Sequence, residues 1–245
     1  MRRRTVMAHR GGGAEVPENT WTAVQHVVDL GLTWLETDLR VTADGVVVLS
    51  HDPTLDRTTS GSGLIREHEW RQLSDLDAGD GSPPVRLDDL LVAFPALHVN
   101  IDVKDSQAAQ PALQVVRGLG ALDRVRFASF SARRLAVLRR QEPRVTTTLG
   151  VADVIGLMGM AEAGVFLPHT RWGWTRGQVD SVQVPLRRRG VPVVTRRLVA
   201  AAHHYDLEVH VWTVDEAAEM RRLLDLGVDG LITDRPTVAL EVVGR

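Results

Sequence analysis

The sequence predicts an α/β protein, specifically a (β/α)8 TIM barrel, on three observations. Short runs rich in β-branched residues alternate with helical stretches, and that alternation builds a parallel sheet. A length of 245 residues holds roughly eight such units as a single domain over 1–245. The rival open sheet of the dinucleotide-binding type has little behind it, because Gly11-Gly12-Gly13 lacks the G-x-G-x-x-G spacing.

Thr5–His9 reads as the first strand. Pro17-Glu18-Asn19-Thr20 then opens a helix with Trp21, Val24, Val27 and Val28 on one face, stopped by Gly31. Further strands are expected at Trp34–Val41, Val46–Ser50, Leu97–Lys104, Val125–Ser129, Val145–Leu149, Ser181–Val184, Glu208–Val214 and Gly230–Thr233. Helices are expected at Ala132–Gln141, Val199–Tyr205 and Glu216–Leu226. Two segments break the repeat. Residues 52–85, rich in Thr, Ser, Gly, Asp and Pro, form a short insertion after the second unit, and 164–179 place His169, Trp172 and Trp174 in a loop. Loops at the carboxyl ends of barrel strands carry chemistry.

Composition narrows the function. A formal net charge of −2 gives no global field for nucleic acid or an anionic membrane, so any anion is bound locally. With no cysteine, disulfides, thiolate metal sites and a thiol nucleophile are excluded. Met1-Arg2-Arg3-Arg4 resembles the start of a secretion signal, but His9-Arg10 arrives before any apolar stretch of the needed length. No run of about eighteen apolar residues offers a membrane span. A cytoplasmic, soluble protein is the expectation.

Strand alternation directs the candidate chemistry. In Trp34–Leu39, Leu35 and Leu39 share one face and Glu36 and Asp38 the other. The apolar face covers the helices, so the carboxylates point inward. Leu97–Lys104 repeats this, with Ile101 and Val103 outward and Asn100, Asp102 and Lys104 inward. Three gathered carboxylates repel one another unless a cation compensates them, and oxygen-only ligands suit Mg²⁺ or Ca²⁺. Ordinary strand-end charges paired with arginines are the plainer reading of Glu36-Thr37-Asp38. Lys104, the one lysine beside twenty-eight arginines, has two readings: a need for a compact ammonium with a phosphate oxygen as its partner, or a lysine left by compositional drift. Of nine histidines, His26, His68, His203 and His204 suit surface or packing roles. His9 and His51 each end a strand and together suit a general acid and base.

Taken together, His9-Arg10-Gly11, Pro17-Glu18-Asn19-Thr20, Glu36-Thr37-Asp38, His51-Asp52 and Asp102-Val103-Lys104 resemble the glycerophosphodiester phosphodiesterase family. The likeness continues through Asp52-Pro53-Thr54-Leu55-Asp56-Arg57-Thr58-Thr59, Leu76-Asp77-Ala78-Gly79, Ser129-Phe130, Val211-Trp212-Thr213-Val214 and Gly227–Pro236. It implies a (β/α)8 barrel that uses one divalent cation to hydrolyse a glycerophosphodiester to glycerol 3-phosphate and an alcohol. It further implies His9 and His51 as the acid/base pair, Glu36, Asp38 and Asp102 as metal ligands, and Arg10 and Lys104 at the phosphate. Glu18 and Asn19 have two readings, as the helix start or as residues beside the metal and His9. Trp212 has two as well, as a wall of the glycerol pocket or as barrel filling.

Two departures from the family pattern stand out. Asp102 replaces the usual Glu, and the segment from Leu76 to Leu87 is shorter, which lowers one wall and admits bulkier alcohols; Trp172 and Trp174 have two readings, as a replacement wall or as loop packing. Competing readings are a lysophospholipase D-like or other phosphodiester hydrolase on the same barrel, and a barrel that binds phosphorylated ligands without turnover. The partner is a small-molecule glycerophosphodiester, without nucleic acid or stable membrane insertion.

Overall fold

The computed structural model describes residues 4–165, 177–188 and 190–244. In chain order the elements are β1 (Thr5–His9), α1 (Trp21–Asp29), β2 (Trp34–Val41), β3 (Val47–Leu49), α2 (Trp70–Leu73), α3 (Leu87–Ala93), β4 (His98–Val103), α4 (Ser106–Gly118) and β5 (Val125–Ala128). They continue with α5 (Ala132–Gln141), β6 (Thr146–Thr148), α6 (Val151–Ala163), β7 (Val179–Pro185), β8 (Arg187–Arg188), β9 (Val191–Pro192), α7 (Arg196–His204), β10 (Glu208–Trp212), α8 (Ala217–Leu226), β11 (Gly230–Thr233) and α9 (Pro236–Val243). Setting aside β3, the short α2 and the β8–β9 hairpin, strand and helix alternate among the described residues. This is the (β/α)8 barrel class expected from the sequence.

The chain divides into two compact units, one of residues 8–126 and one of residues 1–7 and 127–245. In the first, β2 lies between β4 and β3. It pairs parallel with β4, matching Glu36 to Asn100 and Asp38 to Asp102. The strand expected at Val46–Ser50 is β3, and it runs antiparallel to β2. Because α3 is the next helix long enough to cover the sheet, residues 52–85 fall between the second parallel strand and its helix. They carry their own small core of Leu55, Ile65 and Leu73 with Val48, against which Val46, Trp70 and Leu76 pack. Each such buried aliphatic side chain contributes about 1.5–3 kcal/mol.

In the second unit β6, β7, β10 and β11 form a parallel sheet in that order. The fully buried His210 on β10 stands level with Gly230 on β11. A Cβ at Gly230 would lie 2.4 Å from the His210 ring, so only glycine fits. His169, Trp172 and Trp174 lie outside the described residues. Among the described residues no helix is long and apolar enough to cross a membrane.

Candidate active site

The site is built within the unit of residues 8–126. His9 is the last residue of β1, and the chain turns sharply after it, with Arg10 at φ 53° and Gly11 at φ 85°. Gly11 packs on α1 so closely that a Cβ would lie 2.5 Å from the Ala23 Cβ. The turn places His9 Nε2 3.8 Å from Glu36 Oε2, and the Arg10 amide donates to the same oxygen at 3.3 Å.

Residues 35–39 of β2 and 99–103 of β4 are buried on both faces of the sheet. Glu36, Asp38 and Asp102 are all buried, and the β2–β4 register sets the last two side by side. Lys104 Nζ bridges them, at 2.8 Å from Asp38 Oδ1 and 2.7 Å from Asp102 Oδ2. Arg10 Nε lies 3.1 Å from Asp38 Oδ2. The plainer reading of these carboxylates, pairing with cations, therefore describes Asp38 and Asp102 in this arrangement. Burial opposes the charge on Lys104, but Asp102 and Asp38 outweigh it and hold the ammonium above its ordinary value. Glu36 goes the other way. Burial, with repulsion from Asp38 and Asp102, pushes its carboxyl up to about 7 against the pull of His9 and Lys104.

His51 reaches the site by a route that the sequence reading did not foresee. It follows the antiparallel β3, which carries the chain back along β2: the Ser50 amide donates to the Asp38 carbonyl at 2.9 Å. Arg40, two residues beyond Asp38, donates to the His51 carbonyl from Nε and Nη2 at 3.2 and 2.7 Å. The ring is fixed separately, Nδ1 donating to Asp52 Oδ1 at 2.7 Å. A carboxylate only accepts, so this bond leaves Nε2 for other chemistry.

Glu18 accepts from Arg10 at 3.0 Å and from both terminal nitrogens of Arg57 at 2.9 and 2.7 Å. Burial raises its pKa, yet the two arginines hold it below the ordinary value. The helix start belongs to Thr20, whose hydroxyl accepts from the Ala23 amide, rather than to Glu18 or Asn19. Asn19 is buried at φ 58°, with Oδ1 accepting from Thr37 at 2.8 Å and Nδ2 without a hydrogen-bond partner among the described residues. Trp212 belongs to the other unit. It ends β10, and its ring meets the exposed Phe130 edge-on at 5.7 Å. Two of the histidines assigned surface or packing roles bond to carboxylates, His26 to Glu15 and His203 to the buried Asp229, each at 2.7 Å.

The donor set of Glu36, Asp38 and Asp102 is oxygen-only, as a hard dication requires, and Glu36 is a buried carboxyl short of positive charge. By donor chemistry the residues fit such an ion. By geometry, no group of three or more metal-binding side chains is gathered at ligand spacing among the described residues, since the Lys104 ammonium takes the space between two of the carboxylates.

Comparison with known proteins is consistent along the whole chain. Residues 9–238 match the model of the glycerophosphoryl diester phosphodiesterase family. The chain is 37% identical over 243 residues to the probable glycerophosphodiester phosphodiesterase 2 of Mycobacterium tuberculosis, covering 98% of this chain and 90% of that protein. A crystal structure of a glycerophosphodiester phosphodiesterase from Agrobacterium tumefaciens superposes with a TM-score of 0.78 at 26% identity, over 99% of this chain and 100% of that one. An Oleispira antarctica phosphodiesterase, solved in complex with the product sn-glycerol-3-phosphate, shares the fold at a TM-score of 0.81 and 19% identity, over 99% and 98% of the two chains.

Proposed function

Because the chain belongs to the glycerophosphoryl diester phosphodiesterase family, we propose that this protein, as one catalytic domain, hydrolyses glycerophosphodiesters to glycerol 3-phosphate and an alcohol with the help of a divalent cation. The observation that carries the reading is the joining of His9, Arg10, Glu36, Asp38, Asp102 and Lys104 by contacts of 2.7–3.8 Å. A phosphate binder needs the cations but has no use for two imidazoles placed beside carboxylates.

Glu36, Asp38 and Asp102 would hold Mg²⁺ or Ca²⁺, and the ion when bound would neutralise charge growing on the phosphoryl oxygens. The remaining work falls to the chain. Arg10 and Lys104 offer guanidinium and ammonium donors to the same oxygens. The imidazoles of His9 and His51 carry protons to and from the attacking and leaving oxygens, with Asp52 keeping the His51 proton on Nδ1. Glu18 and the buried amide of Asn19 supply polar contacts for the glycerol hydroxyls. The low wall between Leu76 and Leu87 leaves room for varied alcohols.

The test is release of glycerol 3-phosphate from glycerophosphocholine, glycerophosphoethanolamine and lysophospholipids, with chelator and after restoring Mg²⁺ or Ca²⁺. Metal-restored release from the glycerophosphodiesters supports the reading, and preference for lysophospholipids selects the lysophospholipase D-like alternative. Ligand binding by calorimetry with no product at saturating metal refutes hydrolysis.

A further inference from the structure

We propose that Arg57 is a positioning residue that holds Asp52, and through it the His51 imidazole, in register with the Glu18–Arg10 side of the site. The inference rests on the acid/base reading of His51 given above and extends it to a residue outside the reacting groups. Arg57 uses every nitrogen of its guanidinium. Nε donates to Asp52 Oδ2 at 2.5 Å, and Nη1 and Nη2 donate to the two oxygens of Glu18 at 2.9 and 2.7 Å. The opposite oxygen of Asp52 takes His51 Nδ1, and Glu18 also takes Arg10. A continuous ladder therefore runs His51, Asp52, Arg57, Glu18, Arg10, with charge alternating along its four ionic members.

An ordinary surface ion pair would mean little for a side chain 49% exposed. Three features set this one apart: the bidentate fork, the saturation of all three nitrogens, and the part-buried partners on either side. Lysine has one nitrogen in place of the planar fork, so it cannot reproduce the bidentate pair to Glu18 together with the separate Nε bond to Asp52. Arg57 and His51 together keep the Asp52 carboxyl down at about 2, so it stays an acceptor throughout the working range. The loop does not depend on the guanidinium for its shape. Leu55 is buried, its amide donates to the Gly63 carbonyl at 2.9 Å, and the Thr59 amide closes a turn on the Leu55 carbonyl at 3.0 Å.

The test is a double-mutant cycle in the full chain with Arg57→Gln and Asp52→Asn, read as kcat on a glycerophosphodiester at saturating metal. Arg57→Gln is expected to lower kcat about 10- to 50-fold in the wild-type background and less than about threefold in Asp52→Asn, with Arg57→Lys no better than Gln. An equal loss in both backgrounds overturns the proposal. Imidazole ¹⁵N NMR of His51, assigned by its loss in His51→Ala, reads the same point without turnover. A fixed Nδ1–H tautomer that persists unchanged in Arg57→Gln also overturns it. Full activity of His51→Ala would instead remove the acid/base reading, while leaving the tautomer result to stand or fall separately.

Discussion

Lys104 sits between Asp38 and Asp102 with its ammonium within 2.8 Å of both, which explains why a chain so rich in arginine keeps one lysine there. A planar guanidinium is too broad to sit in that gap and also meet a phosphate oxygen. Lys104→Arg is expected to lower kcat/KM by about tenfold or more while leaving the melting temperature near wild type, as measured by steady-state kinetics beside a thermal scan. For the proton carriers the expectation is larger: His9→Ala and His51→Ala each lose about 10²–10⁴-fold in kcat with an unchanged circular dichroism spectrum. Wild-type turnover in either variant removes that residue from the acid/base pair. At this scale the sequence was legible where a local rule applied. Strand alternation aims Glu36, Asp38 and Asp102 the same way, and each letter can be checked against its neighbours. It was silent on Arg57 as a joint, because Glu18 lies 39 positions away and no period links the two. The useful signal was nearby: an arginine five residues after the His51-Asp52 pair.

Elements decide whether those residues meet. The alternation of strand and helix counts Val46–Ser50 among the strands of a parallel sheet; the structure corrects this to an antiparallel strand, and that direction is what brings His51 back along β2. An antiparallel return needs only the short turn around Gly45, at φ 87°, and that turn resembles any other glycine turn when read as letters. Two helices carry a weak signature as letters: α4 has Pro111 inside it, although Asp105 caps it by accepting from the Ala108 amide, and the apolar α6 has little amphipathic contrast. The tightest element contact at the site is Gly11 on α1. Gly11→Ala adds a Cβ 2.5 Å from the Ala23 Cβ at a positive φ and is expected to cost roughly 3 kcal/mol. A thermal scan should show a fall of roughly 6–12 °C, and an unchanged melting temperature would mean that the turn relaxes away from α1.

The whole molecule carries a balance between two carboxyls with opposite pH dependence. Asp52 is held at about 2 against an ordinary 3.8, so its contribution to stability is present above about 3.8 and lost as pH falls through about 2. Glu36 is raised from 4.5 to about 7, so the folded state holds its proton more tightly, and that contribution is lost as pH rises from about 4.5 through about 7. In chelator the Glu36 effect lowers the melting temperature across that second window. Added Mg²⁺ or Ca²⁺ takes the place of the proton and recovers stability increasingly toward neutral pH. Thermal scans from about pH 2 to 8 with and without metal check both signs, and a metal effect that shrinks toward neutral pH would contradict the assignment of Glu36. The barrel itself was legible from length and alternation alone, since eight repeats of strand and helix leave few other architectures. Where the proposed catalytic groups sit on it depends on registers and a return strand that composition does not encode.

Anomalous diffraction from a crystal soaked in Mn²⁺ tests the central assignment most directly. The account predicts one strong peak within about 2.0–2.4 Å of oxygens from Glu36, Asp38 and Asp102, with the Lys104 ammonium displaced from between the two aspartates. A Mn²⁺-active enzyme whose peak lies on other residues, or whose three carboxylates keep Lys104 and bind no ion, would contradict it.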